Sequence, residues 1–144
     1  MIVIDTNIAS VLLSAGHPDL ALVTDWLKSS ADHDIRTSVI TRAEVCYGIA
    51  ILPEGSRKRA LSQHANAFFA AYEEHILPFG SEEADSYAQI VAMRRRLGRP
   101  IGILDAQIAA IAKVAGAIVA TRDTDDFLDC GVAVVNPYVR ASHA

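Results

Sequence analysis

Only two cysteines, Cys46 and Cys130, occur in the 144 residues, and they stand far apart with neither a CxxC pair nor the Cys/His spacing of a zinc site. They are expected as buried or half-buried free thiols in a reducing cytoplasm. The five histidines, His17, His33, His64, His75 and His143, are equally scattered, so a zinc centre is not expected. Long uninterrupted apolar runs are missing too. The N-terminus lacks a basic segment followed by a long apolar one, and the most apolar stretch, "ILDAQIAAIAKVAGAIVA", carries Asp105, Gln107 and Lys113. No membrane association and a cytoplasmic location are the expectation. Positive charge is also in deficit, with 13 basic against 17 acidic residues and a formal charge of -4. A surface of that balance does not draw in a polyanion by itself, so a nucleic-acid role needs a local basic patch, a bound metal, or both. Aromatics make up 6% of the chain, and Trp26 among them fits a core or interface position better than a base-stacking platform.

What the sequence has is apolar mass, 51% hydrophobic residues with 21% charged, enough to bury a substantial core in one domain spanning residues 1–144. Short β-branched runs at 2–4, 35–40, 75–79, 117–120 and 132–135 read as five strands. Between them the apolar spacing is helical: from Asp5 to about Ser14, over Asp19–Ser30, from Ser38 or Thr41 to the "PEGS" break at 53–56, and over Arg57–Glu74. Two more helices follow, one from a capped start at Ser81 to about Leu97 and one from about Leu104. Strands alternating with helices predict an α/β fold, a three-layer α/β/α sandwich around a mostly parallel five-stranded sheet. Ligand sites in such sheets gather at the carboxyl ends of the strands.

Four acids stand where a strand end or helix face would otherwise be apolar or small. Asp5 ends the first strand in "MIVIDTN", and Asp123 follows the fourth in "IVATRDTDDF". Glu44 lies one turn into a helix in "SVITRAEVCYGI", and Asp105 near a helix start in "PIGILDAQIAAIA". Each has an ordinary structural use as well. Asp5 and Asp123 could cap the helices after their strands, Asp105 could favour a helix N-terminus, and Glu44 could pair with Arg42. Taken together, carboxylates converging on one sheet edge repel unless a divalent cation neutralises them. An oxygen-only donor set with no Cys or His selects a hard ion, Mg²⁺ or Mn²⁺, and an acidic pocket holding one suits phosphodiester hydrolysis.

The segments "VIDTN", "SVITRAEVCYGI", "LPEG", "IGILDAQIAAIA" and "VATRDTDDF" with the later "VVNPY" run in the order of a known family. The chain resembles the PIN-domain family, and within it the VapC-like ribonuclease toxins of type II toxin–antitoxin modules, especially the FitB-like branch. The resemblance implies that Asp5, Glu44, Asp105 and Asp123 form a metal-binding catalytic set. It implies further that the hydroxyls of Thr6 and Thr121 orient the first acid and that Asn7 is a nearby polar contact. Asp126 stands second to Asp123 as the fourth acid. The implied activity is that of a Mg²⁺-dependent endoribonuclease, with Mn²⁺ as a substitute, in which metal-activated water cleaves RNA phosphodiester bonds. The implied partners are a cognate antitoxin, whose C-terminal segment occupies the acidic groove, a second copy in a homodimer, and DNA only through the antitoxin in a larger heteromeric assembly.

In "MRRRLGRP" at 93–100, Arg94, Arg95, Arg96 and Arg99 are either a solvated helix end or a phosphate-contacting patch beside the acidic pocket. Arg57, Lys58 and Arg59 form a second run, read as surface or partner-facing. Two other readings compete with the enzyme: a catalytically silent partner of an antitoxin, and a receiver-like Mg²⁺-binding regulatory domain. The receiver-like reading wants an acidic pair near the first strand and an aspartate after the third, where this chain has "DTN" and "PFG".

Overall fold

In the computed structural model, which describes residues 1–139, five parallel strands form one sheet in the order β3-β2-β1-β4-β5. The strands are β1 (Ile2–Ile4), β2 (Ile35–Ser38), β3 (Ile76–Leu77), β4 (Ile118–Ala120) and β5 (Val134–Val135). The helices are α1 (Thr6–Leu13), α2 (Leu20–Ser29), α3 (Val39–Ala50), α4 (Ser56–Ala71), α5 (Ser81–Arg96) and α6 (Ile103–Ala115). His143 lies outside the described residues. Among the described residues no helix is long and apolar enough to cross a membrane.

The alternation of side chains in β1 builds two layers at once. Val3 packs with Val119, Ile90 of α5 and Ile108, Ala109 and Ala112 of α6. Ile2 and Ile4, pointing the other way, pack with Ile8 and Val11 of α1 and Val23 of α2. Trp26 is half-buried against this second cluster. A third cluster joins Leu13, Val45, Ala65 and Phe69, sealing α3 and α4 onto α1. The small residues of "DAQIAAIA" let α6 lie close on the sheet, with Ala106, Ala109, Ala110 and Ala112 all fully buried. Gly116, at φ 64°, ends α6 in the left-handed region and turns the chain into β4.

Several element ends differ from the sequence expectation. β2 stops at Ser38 because the Ser38 hydroxyl accepts from the Thr41 amide and starts α3 there, which takes residues 39–40 into the helix. β3 and β5 shrink to two residues each, since each is an edge strand paired on one side only. The helix expected to run to Glu74 ends at Ala71 and is followed by a short 3-10 turn, Glu73–His75. Ser81 is not the cap of α5: Gly80 holds that position, and its N–H donates to Glu83 Oε2 at 2.8 Å. Both cysteines are free, but Cys46 is exposed on α3 and only Cys130 is buried.

From β1 the chain moves to β2 on one side, while β4 returns to pair with β1 on the other. The strand order therefore reverses between β1 and β4. That crevice, at the carboxyl ends of the strands, is where this class of sheet binds ligands. Asp5 leaves β1 and Thr121 leaves β4 directly into it.

Candidate active site

Asp5 is both a cap and a member of a polar centre. It is 6% exposed, and its two oxygens divide the work: Oδ1 accepts from the Thr6 amide at 2.7 Å at the start of α1, and Oδ2 accepts from Thr121 Oγ1 at 2.8 Å. Thr121 is fully buried, and its single hydroxyl proton goes to Asp5. Its oxygen therefore accepts from Asn7 Nδ2 at 3.2 Å and from the Asp123 amide at 3.1 Å. Asn7 Nδ2 also reaches Asp123 Oδ2 at 3.0 Å, and Asn7 Oδ1 accepts from the Arg122 amide at 3.4 Å. The segment 121–123 is thus tied to the start of α1 by side chains from both partners.

A second relay holds Glu44. Thr6 Oγ1 donates its one proton to Glu44 Oε1 at 2.8 Å, so in its 3.1 Å contact with Thr41 Oγ1 the threonine of α3 is the donor. Ser38 Oγ lies 3.4 Å behind and donates to Thr41. The "SVITRAE" spacing places Ser38, Thr41 and Glu44 one turn apart on the helix face that meets α1. Arg42 turns elsewhere, to Glu73 at 3.5 Å and over the Phe69 ring, so it does not neutralise Glu44.

Asp105 enters from the first turn of α6, half-exposed. Burial pushes its carboxyl up to about 6, and the charges of Asp5, Asp126 and Asp123 push the same way against the Arg94 guanidinium. Burial likewise holds Asp5 above the usual carboxylate range, opposed by its bonds from Thr121 and Thr6 and reinforced by Glu44 and Asp123. Repulsion of this kind acts between carboxylates near enough to feel one another's charge. Asp123 acts on both Asp5 and Asp105, whereas Asp126 acts on Asp105.

The PIN-domain family model matches residues 2–131, the span that carries every one of these acids. The chain belongs to the PIN-domain family. It is similar to VapC ribonuclease Y4jK of Sinorhizobium fredii, 36% identical over 139 residues, 96% of this chain and 98% of that one. Toxin FitB of Neisseria gonorrhoeae is 38% identical over 139 residues, 96% of this chain and 99% of that protein. Among solved structures, FitAB bound to an IR36 DNA fragment superposes with a TM-score of 0.89 at 36% identity, covering 100% of both chains. The resemblance to VapC and FitB toxins seen in the ordered motifs stands in these comparisons, as does the three-layer parallel-sheet fold.

The acidic and hydroxyl side chains at this crevice offer only oxygen donors. Asp105 and Asp123 keep oxygens open to solvent, and each Asp5 oxygen retains a lone pair beyond its one hydrogen bond. Among the described residues no three His, Cys, Asp or Glu side chains close into a ready ligand cage. An open, acidic, oxygen-lined space of this kind fits Mg²⁺, which binds through one or two carboxylates and keeps several waters.

The arginine run requires a correction. Arg94 is 5% exposed and cannot contact a substrate phosphate. Its Nη1 donates to the carbonyls of Asp126 at 2.9 Å and Leu128 at 2.7 Å, and its Nε to the Arg99 carbonyl at 2.7 Å. The 3-10 turn Thr124–Phe127, which carries Asp126, is therefore anchored to α5 by a buried guanidinium. Arg99 is paired with Asp129 at 2.9 Å, leaving Arg95 and Arg96 as the exposed, unpaired members of the run among the described residues. Thr6 also differs in detail from what the resemblance implied: its amide serves Asp5, while its hydroxyl serves Glu44. Arg122 was overlooked by the sequence reasoning. Its signal was its place between Thr121 and Asp123, where a strand exit alternates an inward hydroxyl with an outward cation.

Proposed function

We propose that this chain is the toxin of a type II toxin–antitoxin pair: a Mg²⁺-dependent endoribonuclease that cuts RNA phosphodiester bonds and is held inactive by a cognate antitoxin. What supports this reading is the pair of threonine relays at the β1/β4 crevice of a PIN domain, Thr121 donating to Asp5 and Thr6 to Glu44, with Asn7 tying Asp123 to the same turn and Asp105 feeling the charges of Asp5 and Asp123. Asp5 and Asp105 would hold the ion directly, with Glu44 and Asp123 completing its surroundings. Mg²⁺ or Mn²⁺, when bound, supplies a Lewis acid that makes water a better nucleophile at neutral pH and offsets charge on the phosphate.

The protein's own part is positional and electrostatic. Thr121 and the Thr6 amide hold the two oxygens of Asp5, the Thr6 hydroxyl holds one oxygen of Glu44, and Asn7 donates to Asp123. Four acids hold the incoming phosphate off until a cation is present, so cleavage is conditional on the ion. Attack by external water leaves a 5′-phosphate and a 3′-hydroxyl. FitAB has been solved bound to a DNA fragment, which supports an antitoxin partner and a DNA-bound assembly here through it; a homodimer of this chain belongs to the same proposal. The receiver-like alternative loses its support, because Pro78, Phe79 and Gly80 follow β3 where it needs an aspartate.

RNA cleavage with Mg²⁺ or Mn²⁺, with and without EDTA, and mapping of the cut ends tests the proposal. Cleavage is expected to stop in EDTA and in Asp5→Asn, with the variant still folded because asparagine is also a good N-cap. Full activity of metal-loaded Asp5→Asn, or cleavage indifferent to EDTA, refutes it.

A further inference from the structure

An acidic pocket in a chain of net charge -4 needs a cation close by to seat a polyanion, and the run at 94–99 does not supply one from Arg94 or Arg99. Arg122 stands in a different relation to the acids. Its backbone amide donates to Asn7 Oδ1, the residue before it donates to Asp5, and the residue after it accepts from Asn7. The main chain at this point is held from both sides, so the side chain leaves the site from a fixed root. Thr121 takes the inward direction and is fully buried, while Arg122 points out and is exposed.

The guanidinium is held as well as its root. Arg122 Cζ lies 5.0 Å from the centroid of the Tyr138 ring. Tyr138 is half-buried and packs on the cluster of β1 and α1, and its amide donates to Asn136 Oδ1 at 2.9 Å, which fixes the turn that carries it. The ring is a ledge with core beneath it and Arg122 above it. Among the described residues Arg122 makes no ion pair. The guanidinium lies over the ring and also approaches the Tyr138 hydroxyl, which Asp19 approaches as well, so part of its donor edge is engaged there. Its remaining N–H groups are of the kind that bind a phosphate.

We propose that Arg122, pre-ordered on Tyr138, is a substrate-contacting cation of this site, binding a phosphate of single-stranded RNA beside the scissile position, and that Tyr138 is its positioning residue. This assignment rests on the ribonuclease reading for its substrate. The two can fail separately, because contact with RNA is measurable without cleavage.

The test pairs kinetics with salt dependence, using the full chain. With an RNA oligonucleotide that the wild type cleaves in Mg²⁺, Arg122→Gln is expected to raise KM about tenfold with kcat within about twofold. Tyr138→Leu is expected to raise KM about threefold. Binding of fluorescein-labelled oligo(U) in Ca²⁺ is followed by anisotropy against KCl. There the slope of log K against log[salt] should fall by about 0.7 in Arg122→Gln, return in Arg122→Lys, and stay at the wild-type value in Tyr138→Leu, which keeps the charge. Wild-type KM and slope in Arg122→Gln overturn the assignment. So does an Arg122→Gln variant with unchanged RNA kinetics but weakened inhibition by antitoxin, since the residue would then be a protein contact. If the wild type binds oligo(U) but cleaves no RNA, the ribonuclease reading falls, and the salt slope of Arg122→Gln still decides this one.

Discussion

Replacing Asp105 by Asn should make the metal-free protein more stable at neutral pH. Burial and the neighbouring carboxylates raise the folded-state pKa of Asp105 from 3.8 to about 6. The folded state therefore holds this proton more tightly than the unfolded chain does. Its stabilising contribution is complete below 3.8 and is lost as pH rises through about 6, above which the ionised carboxylate burdens the fold. At about 1.4 kcal/mol per pH unit the full difference is worth about 3 kcal/mol, and because the side chain is half-exposed, solvent screening reduces this to about 1 kcal/mol. Asparagine keeps the shape and removes the charge. Urea unfolding in EDTA should then show Asp105→Asn matching the wild type near pH 4 and exceeding it by about 1 kcal/mol at pH 7.5, or about 3 °C in Tm. On the proposed metal reading the order should reverse in saturating Mn²⁺, since an ion bound to the native state would stabilise the wild type and find one acid fewer in the variant. Equal pH dependence of wild type and variant in EDTA would show that Asp105 does not share its space with the other acids.

Arg94→Met should cost about 3 kcal/mol, because the carbonyls of Asp126, Leu128 and Arg99 lose a charged donor together; urea denaturation reads the loss. A variant as stable as the wild type would show that the guanidinium is not the anchor of the Thr124–Phe127 turn. Thr121→Val removes the hydroxyl that donates to Asp5 and accepts from Asn7 and Asp123, so a loss of about 1–2 kcal/mol is expected together with weaker Mn²⁺ binding by calorimetry. Cys46 should react with a thiol reagent within minutes in the native protein. Cys130, buried and with its thiol pushed up by that burial, should react only on unfolding, and equal rates would contradict the packing of the loop after β4.

The layered α/β plan was legible because strand and helix periods alternate cleanly from "IVI" to "VAVV", and because β-branched residues buried on both faces leave little choice but a covered parallel sheet. The acids were legible as anomalies. A carboxylate ending an apolar strand needs a partner, and the same sequence offered three more in positions that a parallel sheet could bring together. Arg94 was misjudged for a physical reason. "MRRRLGRP" contains nothing to distinguish a residue facing water from one facing the turn at 124–127, and Arg94 is buried only because α5 passes that turn's carbonyls.

Sequence by itself therefore determined the order of strands and helices along the chain and the placing of Asp5 and Asp123 after strands and of Glu44 and Asp105 on helices, since periodicity and residue type act locally. Tertiary structure decided the order of the strands, the choice of Asn7 and Thr121 as the link between Asp5 and Asp123, and the opposite fates of Arg94 and Arg122. Those outcomes depend on which surfaces meet across long separations in the chain, and burial, hydrogen bonding and charge acquire their strength only once that meeting has occurred.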